Sequence, residues 1–305
     1  MNFNLNKGTP IAIYDKENKK QILYIDDNNN NNNNDNNLTN NEINNIIVDF
    51  INNEKGRISM QQIEDIRDAL KNNIPPDNKK LKVLYNELKK KDIKNKVFNI
   101  DNNSLTPIFN PNEDRKVFYI CGMSGCGKST FTSDLIGNYI KMFPKNKVFL
   151  FSNKQNDPVL DKHDKLIRIE LNDELIEDPI NLDELNNSLI VYDDIEYIPN
   201  KLIGEELDRI RDLILQQGRS YKISFCYISH QLTNYKNTRI ILNECHSCVL
   251  FPKMTTTYSL KYLLEKYFGF NKNDIIKLKN LNSRWVCINK VPPYVLHQNG
   301  AYYVN

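Results

Sequence analysis

Long apolar runs are missing from this 305-residue sequence. None approaches the roughly 20 residues that a membrane-spanning helix requires, and the opening residues 1–4 (MNFN) do not begin a secretory signal peptide. We therefore expect a soluble, intracellular protein with no membrane span. The sequence also has no evident internal repeat.

Net charge is low as well, because 41 lysines and arginines are nearly balanced by 38 acidic residues, which leaves +3. So small an excess does not by itself indicate a nucleic-acid partner. The charge is unevenly spread, since eight cations face two anions between residues 253 and 290. The cations are Lys253, Lys261, Lys266, Lys272, Lys277, Lys279, Arg284 and Lys290. A polyanionic partner would suit this basic segment, and a solvated helix face is the alternative.

Cysteine is sparse, and its six residues lie mostly within apolar runs. This placement predicts reduced thiols that pack as small hydrophobic side chains. The segment 245–248 (CHSC) has the form of half a zinc site, but no second Cys/His pair follows at a suitable distance. We therefore predict that it leads into a buried strand over residues 248–251.

Glycine is scarce too, with ten residues in the chain, yet three of them fall within the segment GMSGCGKS at 122–129. This segment follows the apolar run 117–121 and precedes the helical pattern 130–136. A strand, a glycine-rich turn and a helix start are the context of a phosphate-binding P-loop. A chance match is a poor explanation in a chain with so little glycine.

The P-loop pattern predicts a site for ATP and Mg²⁺. Backbone N–H groups of the loop would surround the phosphates, and the helix N-terminus would add its partial positive charge. We expect Lys128 to reach the β- and γ-phosphates and the hydroxyl of Ser129 to ligate Mg²⁺. The expected nucleotide-binding residues are Gly122, Met123, Ser124, Gly125, Cys126, Gly127, Lys128, Ser129 and Thr130.

A second signature is the segment 187–196 (NSLIVYDDIE), an apolar strand that ends in acidic residues. This is the form of a Walker B element, in which one carboxylate holds Mg²⁺ and a neighbouring one orients the attacking water. We assign Asp193 to the metal and Asp194 to the water. Glu196 is the reserve candidate for the base, because glutamate is the commoner choice. An acid-rich helix cap after a core strand is the alternative interpretation.

From residue 116 onward, short apolar runs alternate with helical patterns. This alternation predicts an α/β fold, a P-loop NTPase whose central sheet is mostly parallel and flanked by helices. The predicted strands are 117–121, 148–151, 166–169, 189–192, 223–228 and 248–251, with a terminal pair at 285–289 and 301–304. The clearest predicted helices are 129–142, 203–217 and 258–268.

Two candidate strands, 148–151 and 166–169, lie between the P-loop and Asp193 in the sequence. We therefore expect that the Walker B strand does not neighbour the P-loop strand. This is the arrangement of ATPases with an inserted strand, rather than of nucleoside kinases. The strand 223–228 leads into Ser229, His230 and Gln231, where an inserted strand would present a γ-phosphate sensor. A core strand that simply meets solvent is the alternative.

The first hundred residues differ in composition, with seven consecutive asparagines at 28–34. Such a polar tract cannot bury enough apolar surface to become ordered. The predicted elements are a hairpin at 10–14 and 21–25, a disordered Asn-rich loop at 26–41, and helices at 42–51, 59–71 and 79–91. We predict a small N-terminal α+β region over residues 1–100 and a P-loop ATPase domain with a basic C-terminal portion over 101–305.

Together the motifs resemble those of the DNA-packaging ATPases of nucleocytoplasmic large DNA viruses, poxviruses among them, in the FtsK-HerA superfamily of ring-forming DNA pumps. The resemblance covers residues 116–253. The matching features are the P-loop 122–129, the LIVYDD strand 189–194, the segment 213–220 (LILQQGRS), the strand ending at His230, Arg239 and the strand near Phe251. The family's Gly-Arg-His is Gly218-Arg219-Ser220 here, and His230, followed by Gln231, stands where the family has glutamine.

The resemblance implies an ATP-driven motor that moves viral double-stranded DNA into a capsid. It implies a homo-oligomeric ring with nucleotide at the subunit junctions, where an arginine of the neighbouring subunit, Arg219 or Arg239, would stabilise the transition state. It also implies His230 as the sensor, capsid or other packaging proteins as partners, and a location in the host cytoplasm or the virion. Two alternatives stay open. One is a helicase or replication-initiation ATPase, and the other is a non-hydrolysing scaffold, against which Asp193 and Asp194 count.

Overall fold

A computed structural model describes most of the chain. The described residues are 2–16, 19–25, 59–72, 74–95, 97–100, 105–234 and 238–304. The predicted disordered loop at 26–41 and the predicted helix at 42–51 lie outside them. Two compact units are distinguished, one formed by Met1–Thr9 and Tyr24–Phe98 and the other by Pro10–Leu23 and Asn99–Asn305.

The first unit contains two of the predicted helices, α1 (Met60–Asn72) and α2 (Lys79–Asn95). Helix α1 begins with a capping box, because Ser59 Oγ accepts a hydrogen bond from the Gln62 N–H at 3.2 Å while Gln62 Oε1 accepts one from the Ser59 N–H at 3.0 Å. Apolar side chains on facing sides of the two helices form a small core. Its members are Ile66, Ala69, Leu70, Leu81, Leu84, Tyr85 and Leu88.

Five short strands come from the N-terminal third. They are β1 (Phe3–Asn4), β2 (Thr9–Lys16), β3 (Lys19–Ile25), β4 (Val97–Asn99) and β5 (Thr106–Pro107). Strands β2 and β3 are adjacent and form the predicted hairpin. Within the second unit, Ala12 of β2 pairs antiparallel with Pro107 of β5.

The second unit is built on a large sheet. Its strands are β6 (Val117–Cys121), β7 (Lys147–Ser152), β8 (Leu166–Ile169), β9 (Ser188–Asp193), β10 (Ser224–Ser229), β11 (Ser247–Leu250), β12 (Val286–Asn289), β13 (Tyr294–His297) and β14 (Gly300–Tyr303). Strands β11, β6, β10, β9, β7 and β8 follow one another in that order, and all are parallel. Strands β6, β9, β10 and β11 are buried along their whole length. The predicted mostly parallel sheet is therefore confirmed.

Helices connect these strands. They are α3 (Lys128–Met142), α4 (Glu174–Glu177), α5 (Lys201–Gln217), α6 (Arg239–Glu244), α7 (Thr257–Phe268) and α8 (Lys272–Lys279), with a 3₁₀ turn at Pro252–Met254. The three predicted helices correspond to α3, α5 and α7 within two residues at each end. Helices α4, α6 and α8 were not predicted, because each is too short to show a clear 3.6-residue period.

Strand β10 lies between the P-loop strand β6 and the Walker B strand β9. The prediction that these two strands are not neighbours is confirmed. The reason offered for it was wrong, since β7 and β8, which lie between them in the sequence, occupy positions beyond β9. The separating strand comes from later in the chain and ends at Ser229, immediately before His230.

The C-terminal strands differ from the predicted pair. Strands β12 and β14 form close to the predicted positions, but they do not pair with each other because β13 lies between them. Strand β13 has only four residues and follows Pro292-Pro293, so it was too short to show a strand pattern. The three strands continue the sheet beyond β11 as an antiparallel extension.

All six cysteines are free and buried, as predicted. Residue His246 does not act with them in a zinc site, because its Nδ1 accepts a hydrogen bond from the Val117 N–H at 3.1 Å. Burial, reinforced by nearby cations, lowers the pKa of His246 to about 4. Within the described ranges, no group of three His, Cys, Asp or Glu side chains could hold a metal ion, and no helix has the length and apolarity to cross a membrane.

Candidate nucleotide-binding site

The predicted P-loop forms between a buried strand and a long helix. Strand β6 ends at Cys121, and helix α3 begins at Lys128. Two of the intervening residues, Gly125 (φ 74°) and Gly127 (φ 112°), have the left-handed backbone that favours glycine. The curled loop and the first turn of the 15-residue helix present backbone N–H groups, which together with the helix dipole form an anion site.

The ammonium group of Lys128 lies inside the loop. Only 7% of the residue is exposed, and Nζ donates to the carbonyl oxygens of Gly122 at 2.8 Å and Met123 at 3.2 Å. The same Nζ lies 3.3 Å from Nδ1 of His230. Residues Ser129 and Thr130 follow in the first helical turn, where Ser129 is half-buried and Thr130 is exposed.

Strand β9 brings Asp193 to the same edge of the sheet. Its side chain is 2% exposed, and its Oδ2 makes no hydrogen bond within the described part of the chain. The nearest cation is Nζ of Lys154, at 3.6 Å from that oxygen. Burial raises the pKa of Asp193, partly offset by Lys154. A buried carboxylate oxygen without a hydrogen-bond donor suits a divalent cation, so Asp193 is a fitting ligand for Mg²⁺.

The next residue, Asp194, is held by two side chains. Its Oδ2 forms an ion pair with Nζ of Lys154, and its Oδ1 lies 2.6 Å from Nε2 of His230. Burial alone would raise the pKa of Asp194, but the hydrogen bonds from Lys154 and His230 outweigh it and lower that pKa. The carboxylate is therefore ionised at neutral pH. Its backbone adopts a left-handed conformation, φ 53°, which aspartate tolerates better than most non-glycine residues.

Residue His230 joins the two motifs. An ammonium group can only donate, so Nδ1 accepts from Lys128 while Nε2 carries the hydrogen that is donated to Asp194. Of the two sensor candidates, His230 is therefore the one whose side chain contacts the motifs. Gln231 contributes backbone contacts, with its carbonyl accepting from the hydroxyl of Tyr119.

The carboxylate of Glu196 has a different environment. It accepts a hydrogen bond from Oγ of Ser229, the last residue of β10, and another from the His230 N–H at 3.3 Å. These contacts tie the loop after β9 to the end of β10. The structure thus brings Lys128, Asp193, Asp194, Glu196 and His230 together at the carboxyl ends of neighbouring parallel strands.

The two arginines of the sequence resemblance are both exposed. Residue Arg219 follows α5 and precedes the start of β10, so it lies at the sheet edge opposite its own P-loop. Its Nε donates to Oδ2 of Asp114 at 3.0 Å, and 77% of its side chain is exposed. Residue Arg239 is exposed and begins helix α6.

Sequence reasoning missed two cations at this site. Lys154 follows β7, whose carboxyl end neighbours that of β9, and a polar segment after an apolar strand was the available signal. Arg284 was counted only as part of the basic segment. Its Nε donates to the carbonyl oxygen of Cys126 in the P-loop at 2.9 Å. Nothing in the sequence around Arg284 indicates that contact, because 158 residues separate the two.

The chain was compared with known proteins, and some of the proteins to which it is similar are viral. No protein-family model matches the chain. Among solved structures, the chain is similar to the DNA-packaging ATPase B204 from Sulfolobus Turreted Icosahedral Virus, with 14% identity, 64% of this chain and 99% of that chain covered, and a TM-score of 0.45. It is also similar to the pCW3 conjugation coupling protein TcpA in its monomer form with ATPgS, with 15% identity, 68% and 66% covered, and a TM-score of 0.42.

The curated relative is closer in sequence. The uncharacterized protein V3 of Sputnik virophage is 38% identical over 190 residues, which are 61% of this chain and 76% of that protein. At this identity over most of the relative's length, the two share a common fold and ancestry, and this chain belongs to the same protein family as V3 of Sputnik virophage.

Proposed function

We propose that this protein is a Mg²⁺-dependent ATPase that acts as a motor and moves double-stranded viral DNA into a capsid. The observation that carries the ATPase part is the continuous contact from Lys128 through His230 to Asp194. A P-loop lysine that binds the β- and γ-phosphates and a residue that orients the attacking water are recurring parts of enzymes that cleave a γ-phosphate.

Each residue has a role in this proposal. On nucleotide binding, Nζ of Lys128 exchanges the loop carbonyls for oxygens of the β- and γ-phosphates. Asp193 and Ser129 would hold Mg²⁺, and the ion would supply neutralisation of phosphate charge. Asp194 orients the attacking water and accepts its proton. The Nε2–H of His230 turns from Asp194 to donate to the terminal phosphate, which leaves the carboxylate free for the water. Glu196 keeps the end of β10, and with it His230, in place.

Lys154 is paired with the acidic residues of the site before nucleotide binds. Its ammonium pairs with both carboxylates, Asp193 and Asp194, and so offsets part of their combined negative charge. A divalent cation at Asp193 would repel this ammonium and displace it. Because 44% of the Lys154 side chain is exposed, it can move into solvent or towards a phosphate oxygen without opening the core.

The DNA part of the proposal rests on the motif resemblance, on the viral relative and on the distribution of charge. Within the basic segment, Lys277 lies 3.7 Å from the ring centroid of Tyr302, and Lys279 donates to Oγ1 of Thr257 at 2.8 Å. These two lysines serve the fold. Besides Lys277, the exposed lysines of the segment are Lys253, Lys261, Lys266 and Lys272, on and around helix α7. We infer that this surface contacts DNA phosphates independently of base sequence.

An ATPase assay with duplex DNA, single-stranded DNA and no DNA tests the proposed function. We expect that duplex DNA stimulates hydrolysis by the unsubstituted protein. A Lys261→Glu/Lys266→Glu variant should lose this stimulation, whereas a Lys277→Gln/Lys279→Gln control should retain it. Stimulation should weaken as salt rises, because phosphate contacts release counterions. Absence of any hydrolysis would favour the scaffold alternative. Stimulation by single strands alone would favour the helicase alternative.

The ring is a further part of the proposal, with Arg219 or Arg239 acting at the neighbouring subunit's nucleotide. Arg219 is exposed at the edge away from its own P-loop, so its guanidinium would meet a nucleotide only across a subunit junction. We predict that an Arg219→Ala or an Arg239→Ala subunit is inactive alone and regains ATPase activity when mixed with Lys128→Ala. At one kind of mixed junction an intact P-loop then faces an intact arginine. Mixtures of both arginine variants that show no recovery, together with a monomer in sedimentation with Mg-ATP and DNA, would reject the ring.

A further inference from the structure

The segment that leads into β12 is fixed against the P-loop. Arg284 Nε donates to the Cys126 carbonyl at 2.9 Å, and the Arg284 backbone N–H donates to Oε1 of Gln298 at 2.6 Å. The adjacent Trp285 packs edge-on against Phe131 of helix α3, with ring centroids 4.9 Å apart. Contacts on both sides therefore hold the guanidinium of Arg284 beside the phosphate loop.

The guanidinium of Arg284 approaches Gly127 so closely that a side chain at position 127 would be crowded. A Cβ there would lie 3.0 Å from Nη2 of Arg284 and 3.1 Å from its Cζ and Nε. The positive φ of Gly127 is a separate reason for the same residue. The guanidinium thus lies against the backbone of the loop at Gly127, directly before Lys128.

The Nη1 and Nη2 groups of Arg284, with four N–H donors between them, remain unused. Among the described residues, no acceptor hydrogen-bonds its Nη1 or Nη2 and no carboxylate pairs with it, although the residue is exposed to solvent. A guanidinium presents several N–H donors in a fork that matches phosphate oxygens. Among the described residues, Arg284 and Lys128 are the cations that hydrogen-bond to the phosphate loop.

The order of the strands indicates which phosphate of a bound nucleotide Arg284 faces. Strands β10 and β9, which carry His230 and the Walker B carboxylates, lie on one side of β6, whereas β11 and β12 lie on the other. The terminal phosphate must face the carboxylates, so the α-phosphate and the nucleoside extend towards the side of Arg284. The geometry points to Arg284 as the residue that binds the α-phosphate, an inference that rests on the nucleotide binding proposed above.

Two small probes separate the phosphate positions. AMP carries only the α-phosphate, and pyrophosphate occupies the loop positions of the β- and γ-phosphates without a nucleoside. We expect Arg284→Gln to weaken AMP binding about tenfold, equivalent to about 1.4 kcal/mol, while pyrophosphate binding changes less than twofold. Arg284→Lys keeps the charge but loses the forked donors of the guanidinium. We expect its AMP affinity to lie between those of the unsubstituted protein and Arg284→Gln. Isothermal titration calorimetry measures both affinities, and thermal unfolding verifies that each variant is folded.

Matched variants complete the test. Lys147→Gln removes an exposed cation at the end of the sheet opposite the P-loop and is expected to leave both affinities unchanged. Lys128→Ala is expected to weaken pyrophosphate more than AMP. Equal loss of AMP and pyrophosphate in Arg284→Gln would mean that the residue only shapes the loop, and no loss of either would mean that it is not a ligand. Both results overturn the inference and leave nucleotide binding standing. Failure of the unsubstituted protein to bind either probe would overturn both proposals.

Discussion

Replacing Lys128 with alanine is expected to abolish ATP turnover, with a loss of about 10²- to 10³-fold or more, the usual cost of removing one group that stabilises transition-state charge. The ammonium of Lys128 lies within the loop, in contact with the carbonyls of Gly122 and Met123. These contacts hold the ammonium close to the expected position of the β- and γ-phosphates. Equilibrium binding of ATP and steady-state hydrolysis, both with Mg²⁺ present, measure the effect.

The matched control is Lys147→Ala. Lys147 is an exposed lysine at the start of β7, at the end of the sheet opposite the P-loop, so its loss removes the same charge away from the site. We expect this control to bind and hydrolyse ATP as the unsubstituted protein does. Unchanged ATP affinity and rate in Lys128→Ala would overturn the assignment of the loop as a nucleotide site.

Substitution of Asp194 by asparagine is expected to leave Mg-ATP bound and to slow hydrolysis by about 10²- to 10⁴-fold, the range that a positioned general base contributes. The amide keeps the size of the side chain and can still accept from His230, but it cannot take a proton from water. The lowered pKa of Asp194, which keeps the carboxylate ionised, supports this role. Single-turnover hydrolysis measured alongside nucleotide binding separates the chemical step from affinity.

Two further variants show whether the roles are assigned correctly. Asp193→Asn is expected to weaken the binding of Mg²⁺, or of Mn²⁺ as its spectroscopic substitute, because the buried Oδ2 is the fitting ligand. Glu196→Gln is expected to lower the rate less than Asp194→Asn does, since Glu196 is engaged with Ser229 and the His230 N–H. Normal turnover in Asp194→Asn with a stalled Glu196→Gln would identify Glu196 as the base instead.

Local motifs made much of the fold predictable. The P-loop strand 117–121 was predicted with the bounds that β6 has, because a fully buried parallel strand forms a continuous apolar run. Helices α3, α5 and α7 were long enough for their apolar period to be read. The short helices α6 and α8 and the four-residue strand β13 were missed, since none is long enough to show a period.

It was harder to predict from the sequence that the site residues lie close together. That Asp194 and His230 lie near Lys128 was an expectation from the positions of polar residues after apolar strands. Their connection through the two nitrogens of one imidazole depends on β10 lying between β6 and β9. The carboxylate of Glu196, within one turn of Asp194 in the sequence, is turned towards Ser229 instead.

The sequence by itself determined the chemistry of this protein's site and the class of its sheet, because glycine spacing, the lysine after it and acids after an apolar strand are local requirements of phosphate and metal binding. Only the tertiary structure decided which strands are neighbours and which distant cations meet the loop. Lys154 reaches Asp194 because β7 lies beside β9, and Arg284 reaches Cys126 across 158 residues because the C-terminal strands extend the sheet beyond β11. Such contacts depend on strand order, which side-chain burial selects and which no local pattern encodes.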